Sequence, residues 1–575
     1  METAIRNLCQ LTSCMKMPSA DVEDIRKELA AHGQEHLLKF WSRLTNDQKR
    51  QLAADILSID FNDLNAAYKD TKSNKENNQK LDMFMEPIPE ELHEGVTRCS
   101  PQQLQEYQNI GKECAGSGWG WARWIWVEYL GQHSSITGSK YERAVSAVET
   151  GLREIAEGRV AALLLAGGQG TRLGVNYPKG MYDVGLPSRK TLYQLQGERL
   201  LKLQELAEKL TGKKGTIPWY IMTSEHTMEP TLEFFDKHDY FGLQKDDLVV
   251  FEQYMLPCLT LEGKIILETP CKVSKAPDGN GGLFRALRLR GILEDMSKRG
   301  IKYVHVYCVD NILVKMADPV FVGYCISKNA NCAAKVVEKV VPTEAVGVVC
   351  RVGGKFQVVE YSEISSSTAQ KRNPDGRLTF NAGNICNHFF TLDFLHQIGC
   401  GDKKLKYHIA EKKIPYVGDD GKTIKPMKPN GIKLEKFVFD VFEFSDKFAA
   451  WEVKREAEFS PLKNADTAQK DTPTTAKHSL YALHRQYIRD AGGRFAEEQG
   501  DDFVSVDLKV PVNGEEKKDV AEEKSAIGVC EISPLVSYSG EGLEELVAGK
   551  IFKGKVVINS PREQMLLVDN GKSDN

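Results

Sequence analysis

The residues most able to do chemistry sit directly after one apolar run. Arg159-Val-Ala-Ala-Leu-Leu-Leu-Ala166 has the length and character of a buried parallel strand. Gly167-Gly-Gln-Gly-Thr-Arg-Leu-Gly174 follows without a break, then Tyr177-Pro-Lys-Gly180. Glycines without a Cβ let backbone N–H groups converge on an anion, and Arg172 and Lys179 add two positive charges. A strand, a phosphate-cradling turn and mobile cations are the parts a nucleoside triphosphate site needs. The turn matches neither common phosphate fingerprint. After Gly168 and Gly170 the next glycine is Gly174, one place too late for Gly-x-Gly-x-x-Gly, and no Gly-Lys-Ser/Thr follows.

Other segments add candidate groups. Val309-Asp-Asn-Ile312 puts a carboxylate and an amide at the end of a strand. Asp310 there suits Mg²⁺, which takes one or two carboxylates plus phosphate oxygens and water; the ordinary alternative is a turn cap. Ala276-Pro-Asp-Gly-Asn-Gly-Gly-Leu283 is a second glycine-rich turn opening a helix, with Asn280 placed to read an amide or hydroxyl edge. His32-Gly-Gln-Glu-His36 matches one zinc-protease pattern, but Gly33 weakens the helix that must present it, and chance is the preferred reading. Glu360-Tyr-Ser-Glu363, Phe380 to Asn384, Gly431 to Lys436 and Ser460-Pro-Leu-Lys-Asn464 carry polar groups that taken singly read as ordinary loops.

The elements that must position these groups alternate in type from Val160 onward. Trp219–Thr223, Leu248–Phe251 and Tyr303–Val309 read as strands, and Thr227–His238 and Leu283–Arg299 as helices. That alternation predicts an α/β fold with a mixed, mostly parallel sheet and helices on both faces. Ligands in such folds bind beyond the carboxyl ends of the strands, where Gly167 and Asp310 both fall. Before it, about Asp21 to Ala67 reads as amphipathic helices with a break near Thr45, and Lys69–Lys80 as a flexible connection. After it come a loop at Asn464–Thr475, a helix near Ala476–Ala491 and β-rich segments such as Lys555–Ile558. The expected domains are a helical region over 1–158, a central domain over 159–445 and a small α+β domain over 446–575.

A chain of 575 residues with a net charge of −4 offers nothing toward nucleic-acid or membrane-surface binding. Its thirteen cysteines are scattered, with no Cys-x-x-Cys pair, against a disulfide framework or structural zinc. Cys308 and Cys350 read as small core residues. No signal pattern or membrane-length apolar run is present, so the expected setting is reducing and cytoplasmic.

Taken in order, Leu165–Gly174, Tyr177–Asp183, Pro277–Gly282, Cys308–Asn311, Val359–Glu363, Asn381–Asn384, Asn430–Lys433 and Ser460–Ala465 closely resemble the eukaryotic UDP-N-acetylglucosamine (UDP-N-acetylhexosamine) pyrophosphorylases. The resemblance covers nearly the whole chain outside residues 112–151. It implies a Rossmann-like, GT-A-like nucleotidyltransferase core. It also implies a reversible, Mg²⁺-dependent reaction of UTP with N-acetylglucosamine 1-phosphate, giving UDP-N-acetylglucosamine and pyrophosphate. By the same resemblance Leu165, Ala166, Gly167, Gly168, Gln253 and Gly279 would meet the nucleotide, and Lys433 and Lys463 would contact phosphate. Arg172 and Lys179 would stabilise charge on the α-phosphate and leaving pyrophosphate, and Asp310 would hold the metal. Asn280, Gly347, Glu360, Tyr361 and Asn384 would form the N-acetyl sugar pocket.

Residues 112–151, with the tryptophan-dense run Gly116–Trp126, depart from that family. They read either as a partner-binding loop or, preferably, as translated intron sequence. Gly111-Lys112 can be encoded with a splice donor and Thr150-Gly151 with an acceptor, and excision would restore one glycine before Leu152. A broader UDP-sugar pyrophosphorylase, a silent sugar-nucleotide-binding protein and a glycosyltransferase are the competing readings. Preference between N-acetylglucosamine and N-acetylgalactosamine 1-phosphates stays open, as does homo-oligomer formation.

Overall fold

The computed structural model describes residues 22–77, 82–95, 138–401, 403, 405–496 and 528–561. Where the sequence suggested three successive domains, contacts divide the chain into two compact units made of non-consecutive stretches. The first unit takes Met1–Asn78, Tyr254–Gly282 and Lys404–Val438; the second takes Gln79–Gln253, Leu283–Lys403 and Phe439–Asn575. The reason is burial. The N-terminal helices α1 (Val22–Ala31), α2 (Asn46–Leu57) and α3 (Phe61–Asn77) have an apolar stripe to cover. Ile25, Leu29, Leu52, Ile56 and Leu64 bury it against Leu259, Ile265, Val273, Ile432 and Leu434 from the two later stretches.

Local signals in this unit are largely as written in the sequence. Thr45 caps α2, its hydroxyl accepting from Gln48 N while the Gln48 side chain accepts from Thr45 N. Leu57, next to the buried Ile56 at the end of α2, is exposed. The expected flexible connection from Lys69 is helical as far as Asn77, because its three Lys and one Glu are good helix formers and polarity alone does not end a helix.

The second unit is built on an eleven-stranded sheet. Its strands are β1 (Met85–Glu86), β2 (His93–Gly95), β3 (Val160–Leu165), β4 (Trp219–Thr223), β5 (Leu248–Glu252), β6 (Tyr303–Cys308), β7 (Cys332–Glu338), β8 (Val348–Val352), β9 (Lys355–Val359), β10 (Ala382–Thr391) and β11 (Phe448–Val453). The order is β2-β11-β7-β10-β6-β3-β4-β5, with β8, β9 and β1 leading off β10. The run β6-β3-β4-β5 is parallel, and β10 is antiparallel to both β6 and β7. The mixed, mostly parallel sheet expected from the β/α alternation is therefore present.

Helices α4 (Gly138–Ala156), α5 (Leu192–Thr211), α6 (Met228–Lys237), α7 (Leu283–Leu289), α8 (Ile292–Lys298), α9 (Pro319–Ser327), α10 (Leu392–Cys400) and α11 (Pro473–Asp490) belong to this unit. The single helix expected over Leu283–Arg299 is two, parted at Gly291 with φ 71°. Past α11, Cys530–Ile532 pairs in parallel with Val556–Ile558 over a small core that includes Ile488, Phe495 and Val547.

Most of the segment 112–151, including Gly116–Trp126, lies outside the described residues. Its end does not behave as an insert. Ala147 and Val148 are buried on α4, and a Cβ on Gly151 would stand 2.0 Å from Pro319 O. A Cβ on Gly323 of α9 would stand 1.7 Å from Ala147 O. Two helix backbones meet here so closely that only glycine fits, which places Ala147, Val148 and Gly151 in the core. Among the described residues no helix is long and apolar enough to cross a membrane.

Candidate active site

Register brings the first loop and Asp310 to one edge. Leu165 faces Cys308 on β6 and Met222 on β4, so the strands β3, β4 and β6 deliver their carboxyl ends together. The chain then leaves the sheet through bonds that shape the loop. Ala166 N donates to Met222 O at 2.8 Å, and Ser224 Oγ donates to Gly167 O at 2.9 Å. Gly170 N donates to Tyr177 O and Lys179 N to Gly168 O, folding the Tyr177–Gly180 segment back over the loop. A Cβ on Gly167 would lie 2.1 Å from Gln253 Nε2, so Gln253 packs flat on the loop backbone; no atom lies within 4 Å of where a Gly168 Cβ would point. Gly180 rests on the ring of buried Tyr193, where a Cβ would come within 2.2 Å, and this seats the adjacent Lys179.

A distant strap closes the edge. Leu462 N donates to Asp310 O at 2.8 Å, Lys179 Nζ donates to Leu462 O at 3.1 Å, and Ala465 N donates to Arg172 O at 3.1 Å. Asn311 bridges to Pro461, and Lys463 is positioned between these ties. Leu165–Gly168, Gln253, Arg172, Lys179, Asp310 and Lys463 thus share one rim. Arg172 is exposed, while Lys179, Asp310 and Lys463 are half-buried. Cys308 and Cys386 adjoin at this rim; the hydrogen bond that the Cys308 thiol makes with Cys386, together with burial, pushes its pKa well up, so it stays protonated.

A second group lies where β8, β9 and β10 meet. Asn384 N donates to Gly347 O at 2.8 Å, and a Cβ on Gly347 would approach Glu360 Oε1 to 2.8 Å. The Asn384 side-chain oxygen accepts from Cys386 N at 3.1 Å and lies 3.2 Å from His388 Nε2. Gly347, Glu360 and Asn384 therefore form one corner; Tyr361, next to Glu360, is exposed.

Gly279, Asn280 and Lys433 belong to the first unit. The Asn280 side-chain oxygen accepts from Val438 N at 3.0 Å, and Gly279, at φ 86°, would set a Cβ 2.4 Å from Lys436 O. Lys433 sits on the strand Gly431–Glu435, opposite Ala410. His32 and His36 share no helix: His32 pairs with Asn65, and His36 Nε2 with Ile265 O at 2.7 Å. The zinc-protease pattern is a chance match.

Two groups escaped the sequence reading. Lys339 is buried and donates to Val346 O at 3.2 Å beside Gly347; burial pulls its pKa down, against the nearby carboxylates of Glu344 and Glu360. Ser224, which holds the Gly167 carbonyl, also went unmarked, and nothing local in a Thr-Ser-Glu turn signals that role. Among the described residues no cluster of three or more His, Cys, Asp or Glu side chains could hold a metal. Any ion at this rim would rest on the Asp310 carboxylate with substrate oxygens and water, a donor set suited to Mg²⁺.

Residues 131–508 match the family model described as UTP–glucose-1-phosphate uridylyltransferase. The chain is 50% identical over 92% of its length, and 94% of the relative's, to the UDP-N-acetylhexosamine pyrophosphorylase-like protein 1 of Xenopus tropicalis. It is 43% identical to the UDP-N-acetylglucosamine pyrophosphorylase of Saccharomyces cerevisiae over 71% of this chain and 78% of that one. The crystal structure of the Trypanosoma brucei uridine diphosphate N-acetylglucosamine pyrophosphorylase superposes with a TM-score of 0.71 at 28% identity, covering 95% of this chain and all of that one.

Proposed function

The chain belongs to the UTP–glucose-1-phosphate uridylyltransferase family, and from that premise we propose that it joins UTP to N-acetylglucosamine 1-phosphate, releasing pyrophosphate. The observation that carries this is the strap, which holds Arg172, Lys179 and Lys463 around the carboxyl end of β6, where Asp310 stands. Such a rim contains cations and backbone amides but no activated nucleophile, which suits in-line phosphoryl chemistry achieved by positioning and charge neutralisation.

In this reading the sugar phosphate oxygen attacks the α-phosphorus of UTP, the bond to the β-phosphate oxygen breaks, and pyrophosphate leaves. The Leu165–Gly168 backbone and Gln253 seat the uridine. Arg172 and Lys179 face charge that builds on the α-phosphate and the leaving group. The Gly347–Glu360–Asn384 corner, with Tyr361, seats the N-acetyl sugar, and Lys463 its phosphate. Gly279, Asn280 and Lys433 are assigned to the same ligands by resemblance. Asp310 would hold Mg²⁺, which when bound neutralises phosphate charge. Every cysteine among the described residues is a free thiol, which supports a reducing, cytoplasmic setting.

The test is pyrophosphate release by the full chain with UTP, Mg²⁺ and N-acetylglucosamine 1-phosphate, against glucose 1-phosphate and ATP as controls. N-acetylgalactosamine 1-phosphate in parallel measures sugar preference. Release requiring both UTP and an N-acetyl sugar supports the reading. Equal rates with glucose 1-phosphate would replace it with a broader UDP-sugar activity, and silence with all of them would remove it.

A further inference from the structure

The strap that closes the rim is itself held from behind by a buried charge cluster. Lys335 is fully buried on β7 and pairs with two carboxylates, Asp318 and Glu458, the latter at 2.5 Å. A single carboxylate would neutralise it. Asp318 already does so, and belongs to the fold locally: it is the N-cap of α9, its Oδ1 accepting from Val320 N. Glu458 comes from far along the chain and begins the strap. Its carboxylate is a second buried partner for the same ammonium, and bringing it there takes another polar group out of water, which costs stability. Its return is placement.

The path from Glu458 to the rim is continuous. Asn311 Nδ2 donates to Glu458 O at 2.6 Å, and Asn311 Oδ1 accepts from Ser460 N at 2.9 Å. The next ties are Ile312 N to Ser460 O and Leu462 N to Asp310 O, and Leu462 O then receives Lys179 Nζ. The β7–β10 register shifts between Ala334 and Val336, so Lys335 sits at a β-bulge, the device that re-aims a side chain.

We infer that Glu458 is a positioning residue for the reaction: paired with Lys335 and clipped by Asn311, it sets the strap so that Lys179, Arg172 and Lys463 stand in register with Asp310. This rests on the uridylyltransferase reading above. Glu458 touches no substrate in that reading, so its removal moves turnover and leaves ground-state binding in place.

The experiment uses the full chain with UTP, Mg²⁺ and N-acetylglucosamine 1-phosphate. Glu458→Ala leaves the neutral Lys335–Asp318 pair, and kcat is expected to fall about 10- to 100-fold. UTP affinity by calorimetry should stay within about threefold, and Glu458→Gln, which keeps an oxygen for Lys335, should recover kcat to within about threefold. Asn311→Ala cuts the clip without stranding a charge and should show the same kcat loss if Glu458→Ala does not fold. Glu198→Ala, in the equally buried Lys190–Glu198 pair bonded to Ser533, is the control, expected to lower stability without the kcat loss. Amide hydrogen exchange at Leu462 and Ala465 should quicken in Glu458→Ala and not in Glu198→Ala. Unchanged kcat in Glu458→Ala and Asn311→Ala, a parallel loss of UTP affinity, or failed recovery by Gln would overturn the inference. A wild-type chain silent toward UTP would instead strike the functional reading, while faster strap exchange in Glu458→Ala alone would still support the pinning.

Discussion

The nucleotide rim and the corner at Gly347 are built by opposite means. The rim is backbone work: Gly167 and Gly168 leave the loop open, and main-chain bonds from Gly170, Lys179, Leu462 and Ala465 lace three distant segments together. The corner is side-chain work on a rigid sheet, with Glu360 against Gly347 and the Asn384 amide between Cys386 N and His388. A laced rim tolerates a variety of side chains but not a Cβ at its contact points. A side-chain corner is tuned residue by residue. In the proposed reading the first suits a ligand part that never changes, the triphosphate, and the second a part that must be told from its relatives, the sugar.

The harshest way to break that contrast is to remove the rim's cations. Arg172→Ala or Lys179→Ala should lower kcat by about 10²- to 10³-fold; the melting curve should be unchanged for exposed Arg172 and only slightly lowered for Lys179, which also loses its bond to Leu462 O. Full turnover in either purified variant would sink the assignment. A methyl group then separates the two regions. Gly167→Ala must push Gln253 aside, and Gly347→Ala must push Glu360, each costing roughly 1–3 kcal/mol locally, on the order of 10-fold in the affinity of the ligand concerned. The first should raise KM for UTP and the second KM for the sugar phosphate; steady-state kinetics with each substrate varied would show whether the effects cross over.

A smaller effect is expected from Asn384→Ala. It loses two bonds at a half-buried site, worth about 0.5 kcal/mol each, and should raise the sugar phosphate KM by roughly 5-fold while leaving UTP untouched. An equal change in both KM values would mean that the corner is not separate from the rim.

The last test is set by pH. Burial pulls His305 down to about 4 and His388, with His305 nearby, to about 3. Both are neutral in the folded chain, whereas the unfolded chain takes up protons below about pH 6.5. Stability is therefore full above that value and falls as pH drops toward the folded pKa, by up to about 1.4 kcal/mol per pH unit per histidine. Because His388 meets Asn384, the corner should feel acid before the rim does. Denaturant midpoints at pH 7 and pH 5 measure the first effect, and the sugar phosphate KM over the same range the second. A midpoint independent of pH would exclude buried neutral histidines.

Much was legible because it is local. The apolar run into Gly167–Gly174, the β/α alternation and the Thr45 cap depend on residues within a turn or two, and there composition and conformation agree. Even the two-helix break at Gly291 had a local sign, passed over because the apolar pattern runs through it.

What the tertiary structure alone decided is which distant segments meet. The loop at Ser460–Asn464 looked ordinary because its partners, Asn311 and Lys335, lie far back in the chain, and no spacing rule reaches that distance. The gathering of Tyr254–Gly282 and Lys404–Val438 around the N-terminal helices was invisible for the same reason: each stretch reads as part of the central sheet domain until an apolar face must be covered. Gly151 joins the two lessons. In the sequence it is only the restored end of an interruption. Beside Pro319 it is a position where nothing but glycine fits, and excision of residues 112–151 would put Gly111 in its place. Local chemistry is carried by residue type and neighbour, while long-range pairing is set by which surfaces must leave water together.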